Sequence, residues 1–174
     1  IANVLLVAAS VSGSTLEFDS GTNVLTGTST TSPTAPTINI AAGATLQLGE
    51  KDAGPPASAS GALLNGIGGA MTIAAGGTFR LNHSGGGGYT ATGILQGGGL
   101  FQKDNSGLLG MGGDFTGFAG TVRNNSGITY FYNSPNAKFP NAAFEINGGS
   151  INLSDQFNDS SNPFETGSLS GTSA

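Results

Sequence analysis

Ten carboxylates, five basic side chains, one histidine, three tyrosines and no cysteine are all the ionisable side-chain chemistry in this 174-residue chain. The acids are Glu17, Asp19, Glu50, Asp52, Asp104, Asp114, Glu145, Asp155, Asp159 and Glu165. Asp104 and Asp114 fall in adjacent turns of one glycine- and leucine-rich stretch. Two carboxylates on one face of neighbouring turns suit glycan cleavage, one protonating the leaving oxygen and the other serving as base or nucleophile. They are the one acidic pair that merits a test. The rest read as solvated turn residues.

Asp155-Gln156-Phe157-Asn158-Asp159-Ser160 gathers several oxygens, a chemistry that suits Ca²⁺. It lacks the D-x-D-x-D-G spacing of a helix-flanked calcium loop and the GGxGxD nonapeptide of calcium β-rolls, so it reads as a polar loop. His83 sits beside Ser84 and a run of four glycines, outside any G-x-S-x-G elbow, and reads as a turn residue. One histidine without cysteine excludes zinc centres, disulfides and thiol catalysis. Despite 31 glycines the chain has neither G-x-G-x-x-G nor G-x-x-x-x-G-K-[ST], which removes nucleotide binding. No catalytic, cofactor-binding or metal-ligating residue is assigned from these patterns. Tyr130, Phe131 and Tyr132 are consecutive, so on a strand at least one ring faces outward. They are candidate surface contacts for a sugar ring or a partner subunit, unless all three pack beneath the loop at 133–141.

The net charge of −5 and the scatter of the five basic residues leave no basic stripe. Nucleic acid and anionic membrane surfaces therefore lack electrostatic support. No apolar run approaches the eighteen or so residues of a membrane span. Val4 to Ala9 is short and follows no basic residue, so it reads as a buried strand rather than a signal core. The start without Met and the SGTSA end lead us to expect a mature or excised segment of a larger protein. Only 9 % of residues are charged, against roughly 25 % in ordinary domains. Ser, Thr and Asn form the polar surface instead, which favours an extracellular setting.

Any such site must sit on short strands between glycine corners. The phrase glycine–x–[Thr/Ser]–apolar–x–apolar occurs five times, as GSTLEF (from Gly13), GATLQL (Gly43), GGTFRL (Gly76), GITYFY (Gly127) and GGSINL (Gly148). Helical periodicity is missing. Alternating apolar runs bounded by Gly, Asn, Ser or Pro predict strands at 38–40, 45–48, 71–73, 79–81, 128–132, 144–146 and 151–153. A repeated phrase at intervals of tens of residues marks a stacked chain. The intervals of 30, 33, 51 and 21 residues fit a right-handed single-stranded parallel β-helix with loop insertions. The long gap would hold two coils, the second built on 98–103. Six or seven coils at about 4.8 Å would make a rod of roughly 30 Å. Insertions are expected at 29–36, 50–60, 84–88 and 133–141, and the strand pattern is lost from Ser154 onward.

From Gly97 to Phe131 the chain reads GGGLFQKDNSGLLGMGGDFTGFAGTVRNNSGITYF. This resembles the passenger-associated repeat of autotransporters at Gly97, Gly99, Lys103, Gly107, Leu109, Gly113, Phe118, Gly120, Thr121 and Gly127. Leu100 stands one place early. Asp104-Asn105-Ser106 and Asp114-Phe115 depart from the family pattern in loop positions. The resemblance extends over roughly residues 37–153. It implies a parallel β-helix exported to the cell surface and usually followed by an outer-membrane barrel, of which this chain contains none.

These observations lead to an all-β expectation: β-helix coils over 1–153, then a polar segment over 154–174, partly irregular or linking to further sequence. The expected role is an extracellular structural or adhesive stalk of a bacterial surface protein, without catalysis. Self-association end to end into a fibre and contact with other surface proteins are expected partners, and no insertion of this segment into a membrane. The competing expectation is a carbohydrate-active β-helix, either a polysaccharide-binding spike or a lyase or hydrolase.

Overall fold

The computed structural model describes residues 5–6, 15–25, 37–48, 70–82, 88–104, 106–132, 137–153 and 163–172. Its strands run β1 (Leu5–Leu6), β2 (Thr15–Phe18), β3 (Gly21–Leu25), β4 (Thr37–Ile40), β5 (Ala44–Leu48), β6 (Ala70–Ile73), β7 (Thr78–Asn82) and β8 (Gly88–Ala91). They continue as β9 (Ile94–Gly97), β10 (Leu100–Asp104), β11 (Leu108–Met111), β12 (Thr121–Asn124), β13 (Ile128–Phe131), β14 (Phe139–Ile146), β15 (Ser150–Leu153) and β16 (Thr166–Gly171). Chain neighbours lie in different sheets, and each strand pairs in parallel with one a coil away. The result is a parallel β-solenoid.

Its main face is an eight-stranded sheet in the order β1-β3-β5-β7-β10-β12-β14-β16. At about 4.8 Å per strand this sheet extends over roughly 34 Å. Two four-stranded sheets complete the walls: β2-β4-β6-β9, and β8-β11-β13-β15. One ladder of the main sheet passes through Leu5, Val24, Gln47, Arg80, Gln102, Arg123, Glu145 and Ser170. Successive rungs are thus 19 to 33 residues apart, the widest step spanning the insertion between β5 and β6.

The glycine phrase leads into all three sheets: β2 in one, β5 and β7 in the main sheet, β13 and β15 in the third. Its spacing therefore does not measure the coil. The phrase recurs because any sharp corner needs one residue in the left-handed region, which glycine supplies without steric cost. Gly43, Gly76 and Gly127 hold φ of +79°, +82° and +71°. In GGSINL the second glycine, Gly149, takes that role at +74°. The expected second coil of the long gap is β10, and β12 follows it before Gly127.

Alternation sets the core. In the main sheet Leu46, Phe79, Phe101, Val122 and Phe144 form one inward column, and all are buried. Aromatic rings fill the interior toward β16. Phe131 lies 5.9 Å from Phe139 and from Phe144, and 4.8 Å from Phe164.

Two boundaries differ from expectation. The 133–141 loop ends earlier, since β14 begins at Phe139. The stretch from Ser154 contains β16, which joins the main sheet beside β14. TGSLSG carries a single bulky apolar residue, too little alternation for the pattern to register. The expected strand at Val4 to Ala9 is described only as β1, and the insertions at 29–36, 50–60 and 84–87 lie outside the described residues.

Candidate functional site

The outward side of the main sheet carries Arg80, Asp104, Arg123 and Glu145, four of the ten described charged residues. Five aligned strands read TLQL, TFRL, LFQK, TVRN and AFEI, so the position after the inward Leu, Phe or Val is Gln47, Arg80, Gln102, Arg123 and Glu145 in turn. A second row runs along the edge of the same face through Asp104, Asn125 and Asn147. Asn125 donates to Asp104 Oδ1 at 2.7 Å, and Asn147 donates to Asn125 Oδ1 at 3.1 Å. The rows are tied together. Gln102 donates to Asp104 Oδ2 at 2.9 Å, and Arg80 pairs with the same oxygen. Arg123 pairs with Glu145 at 2.6 Å.

Asp104 is the electrostatic centre of this ladder. Burial by itself would raise its pKa. Hydrogen bonds from Asn125, Gln102 and Arg80, with the Arg80 charge, outweigh that and hold the carboxyl below its usual value. A carboxylate stabilised as the anion by three donors is a poor proton donor near neutral pH. Asp114 is elsewhere. It bridges to Ile94, extending the β2-β4-β6-β9 sheet, and its Oδ1 accepts from the Thr116 amide and hydroxyl at 3.1 and 2.7 Å. β11 separates the two acids along the coil, so they occupy different walls. The fold does not unite them as the two carboxylates of a glycosidase.

Lys103 is the residue the sequence did not single out. Alternation along LFQKD turns Phe101 and Lys103 inward, and the lysine is 2 % exposed. Its Nζ donates to Ser126 O at 2.5 Å. Burial lowers its pKa from 10.5 to about 8, against an opposing pull from Asp104. Asn124, its ladder partner on β12, is also buried and donates to Gly148 O at 2.9 Å. The Thr129 hydroxyl donates to Asn124 Oδ1 at 3.4 Å. A polar strip thus lies inside the corner between β12 and β13. The signal was its place two residues after Phe101.

Of the three candidate contact residues, Phe131 turns inward and is fully buried, so it offers no surface. The reason is strand alternation, which places Tyr130 and Tyr132 on the outer side. The Tyr132 ring lies over Gly110 and Gly112. A Cβ on Gly110 would stand 2.4 Å from its Cε2, and one on Gly112 3.3 Å from its Cδ2. Glycine at 110 thus makes room for the ring, which remains 40 % exposed. Tyr130 packs against it at 5.2 Å, edge to face. Tyr130 shares its ladder with Gly110 and Asn152.

No family model, curated protein or solved structure matches this chain.

His83 and the 155–159 cluster lie outside the described residues. Among the described residues no group of three or more His, Cys, Asp or Glu side chains is placed to hold a metal ion. A partly open apolar pocket of about 10 Å³ lies between Met71, Ile94, Leu95, Phe101, Met111 and Phe115, room for one water molecule at most.

Proposed function

We propose that this solenoid is a structural and adhesive stalk of a bacterial surface protein, extracellular, which extends and presents its insertions without performing chemistry. The observation that carries this reading is the fate of the charged side chains. Arg80 with Asp104, Arg123 with Glu145 and Lys138 with Glu165 all pair between neighbouring coils. Asp104, the least solvated of these acids, accepts from Arg80, Gln102 and Asn125. These six charged groups are engaged in stacking one coil on the next. The resemblance of residues 97–131 to autotransporter passenger repeats adds the export route and the cell-surface location.

The test is hydrolysis or elimination on a panel of acidic and neutral polysaccharides, read as new reducing ends or unsaturated products. The stalk predicts none. Cleavage by the purified chain that Asp104→Asn or Asp114→Asn abolishes would overturn it.

A second reading, a polysaccharide-binding spike, is favoured by the Tyr132 ring, which sits over Gly110 and Gly112 and is 40 % exposed. Aromatic faces stack on the apolar faces of sugars, and a ring already fixed loses little freedom on binding. Glycan binding that is lost in Tyr132→Ala while the fold persists would favour the spike over a plain stalk.

A further inference from the structure

Asn147 is followed by Gly148, and no other asparagine among the described residues precedes a glycine. The pair lies in the bend between β14 and β15, with Asn147 exposed. Asparagine is one of the thermally labile residues, because the backbone nitrogen after it can attack the side-chain amide carbon and close a five-membered ring. A side chain on the following residue obstructs that approach, and glycine does not.

The fold requires this glycine. A Cβ on Gly148 would stand 2.5 Å from the Asn125 carbonyl oxygen, which is backbone and cannot swing aside. Gly149 then completes the turn at a φ of +74°. The corner therefore cannot shield Asn147 by placing a larger residue after it. The reacting nitrogen is also loosely held. Gly148 N reaches Asn124 O at 3.3 Å, an acceptor that Asn147 N already uses at 2.9 Å. Asn147 Nδ2, the nitrogen that must leave, donates to Asn125 Oδ1 at 3.1 Å in an exposed contact.

We propose that Asn147 is a site of spontaneous deamidation, and that its conversion breaks the polar row Asp104–Asn125–Asn147 at the β14–β15 corner. Gly148 N bonds to Asn147 Cγ, the Cγ–Nδ2 bond breaks, and the Gly148 amide proton leaves with Nδ2 as ammonia. Solvent water then opens the cyclic imide at either carbonyl. The product is aspartate or, with an extra methylene in the main chain, isoaspartate. Both put a carboxylate where the row needs a donor. Asn125 Oδ1, which accepted from Asn147, then faces a second acceptor. Turning the Asn125 amide over supplies an N–H to the new carboxylate, but withdraws the one that Asp104 Oδ1 receives at 2.7 Å. One bond of the row is lost whichever way the amide lies. Asn125 holds the equivalent place one coil earlier and is followed by Ser126, so it is the internal control. The chemistry needs no partner and is independent of whether the solenoid serves as stalk or spike.

The test is tryptic peptide mapping by mass spectrometry on the whole chain held at pH 8.5 and 37 °C, natively and in urea. The peptide holding Asn147 is expected to gain about one dalton as NH2 becomes OH, partly as isoaspartate. Asn65-Gly66, the other such pair in the chain, falls on a different peptide. The native rate should lie within about tenfold of the unfolded rate, since freeing Gly148 N from Asn124 O costs one hydrogen bond. Asn125 should keep its amide over the same period. Asn147→Asp reproduces the product charge and should lower the urea midpoint, with little further effect in an Asn125→Ala background. Retention of the Asn147 amide in the native chain would overturn the site, and equal conversion of Asn125 would overturn the role given to Gly148. A midpoint that Asn147→Asp leaves unchanged, or lowers equally in the Asn125→Ala background, would refute the break in the row.

Discussion

Replacing Lys103 by methionine should change the pH dependence of stability more than stability at neutral pH. The lysine is turned into the solenoid, with its Nζ on Ser126 O at 2.5 Å. Burial brings its pKa down from 10.5 to about 8. Between those two values the unfolded chain binds more protons than the folded one, so stability rises with pH across that window. The penalty for holding a charge inside is complete below about pH 8 and gone above about pH 10.5. The gap between the two values corresponds to about 3 kcal/mol. Methionine keeps the length of the side chain and does not titrate, but leaves the Ser126 carbonyl without this donor at a cost of about 1–3 kcal/mol. The two effects nearly cancel at pH 7.

The assay is urea unfolding of both proteins, followed by far-ultraviolet circular dichroism at several pH values from 7 to 10.5. Tyrosines titrate in both proteins, so the difference between the two curves isolates Lys103. At pH 7 the variant should be within about 1 kcal/mol of wild type, and at pH 10.5 less stable by most of the 3 kcal/mol window. A difference that stays constant across the range would refute the reasoning. It would mean that the amine keeps its solvation inside the corner, or reaches water when charged.

Three further outcomes follow from particular contacts. Asp104→Asn should flatten the acid limb of the stability curve. The wild-type carboxyl titrates below its usual 3.8, so its contribution is present above that pH and lost as pH falls through the folded value. At neutral pH the change should be about 1 kcal/mol or less, because the Arg80 partner is 41 % exposed; urea unfolding at pH 2.5, 4 and 7 measures both. Gly120→Ala places a Cβ 1.9 Å from the Gly99 carbonyl oxygen, which is backbone and cannot swing aside. A loss of about 3 kcal/mol in thermal or urea unfolding is expected, while Gly117→Ala, with 3.4 Å to its nearest neighbour, should cost little. Gly110→Ala meets only the movable end of Tyr132, so it should cost about 1 kcal/mol and shift the Tyr132 ring resonances in the NMR spectrum. Unchanged ring signals would contradict the stacked position.

The strands were legible because each carries its own local signal. TINI, ATLQL, AMTI, TFRLN, ITYF and SINL alternate cleanly between corner residues, and the structure pairs all six in parallel sheets. Which wall each strand joins was not legible. A glycine corner obeys the same steric rule wherever it occurs, so GATLQL and GITYFY look alike and enter different sheets. Lys103 was obscured for another reason. As a charge it suggests solvent, as a repeat position it suggests a pattern match, and only counting inward from Phe101 places it in the core. Asp104 and Asp114 read as neighbours because sequence distance was taken for spatial distance. In a solenoid ten residues is part of a coil, enough to move from one wall to another.

That last point explains why the polar ladder escapes a local reading. Its side-chain bonds join residues about one coil apart: 24 positions for Arg80 and Asp104, 22 for Arg123 and Glu145, 21 for Asn125 and Asp104, 22 for Asn147 and Asn125. The second wall repeats the behaviour, with Asn39 bonded to Glu17 across 22 positions and Gln96 to Thr72 across 24. A polar residue therefore finds its partner at the coil length, which corner insertions change without disturbing the rungs. Between Gln47 and Arg80 the step is 33, and Arg80 Nη1 still donates to Gln47 Oε1 at 3.4 Å. Most of the described charges are thus engaged in vertical contacts whose period appears only once the register is known. Each such bond ties one rung to the next, so the outward row from Gln47 to Glu145 holds the stack together coil by coil.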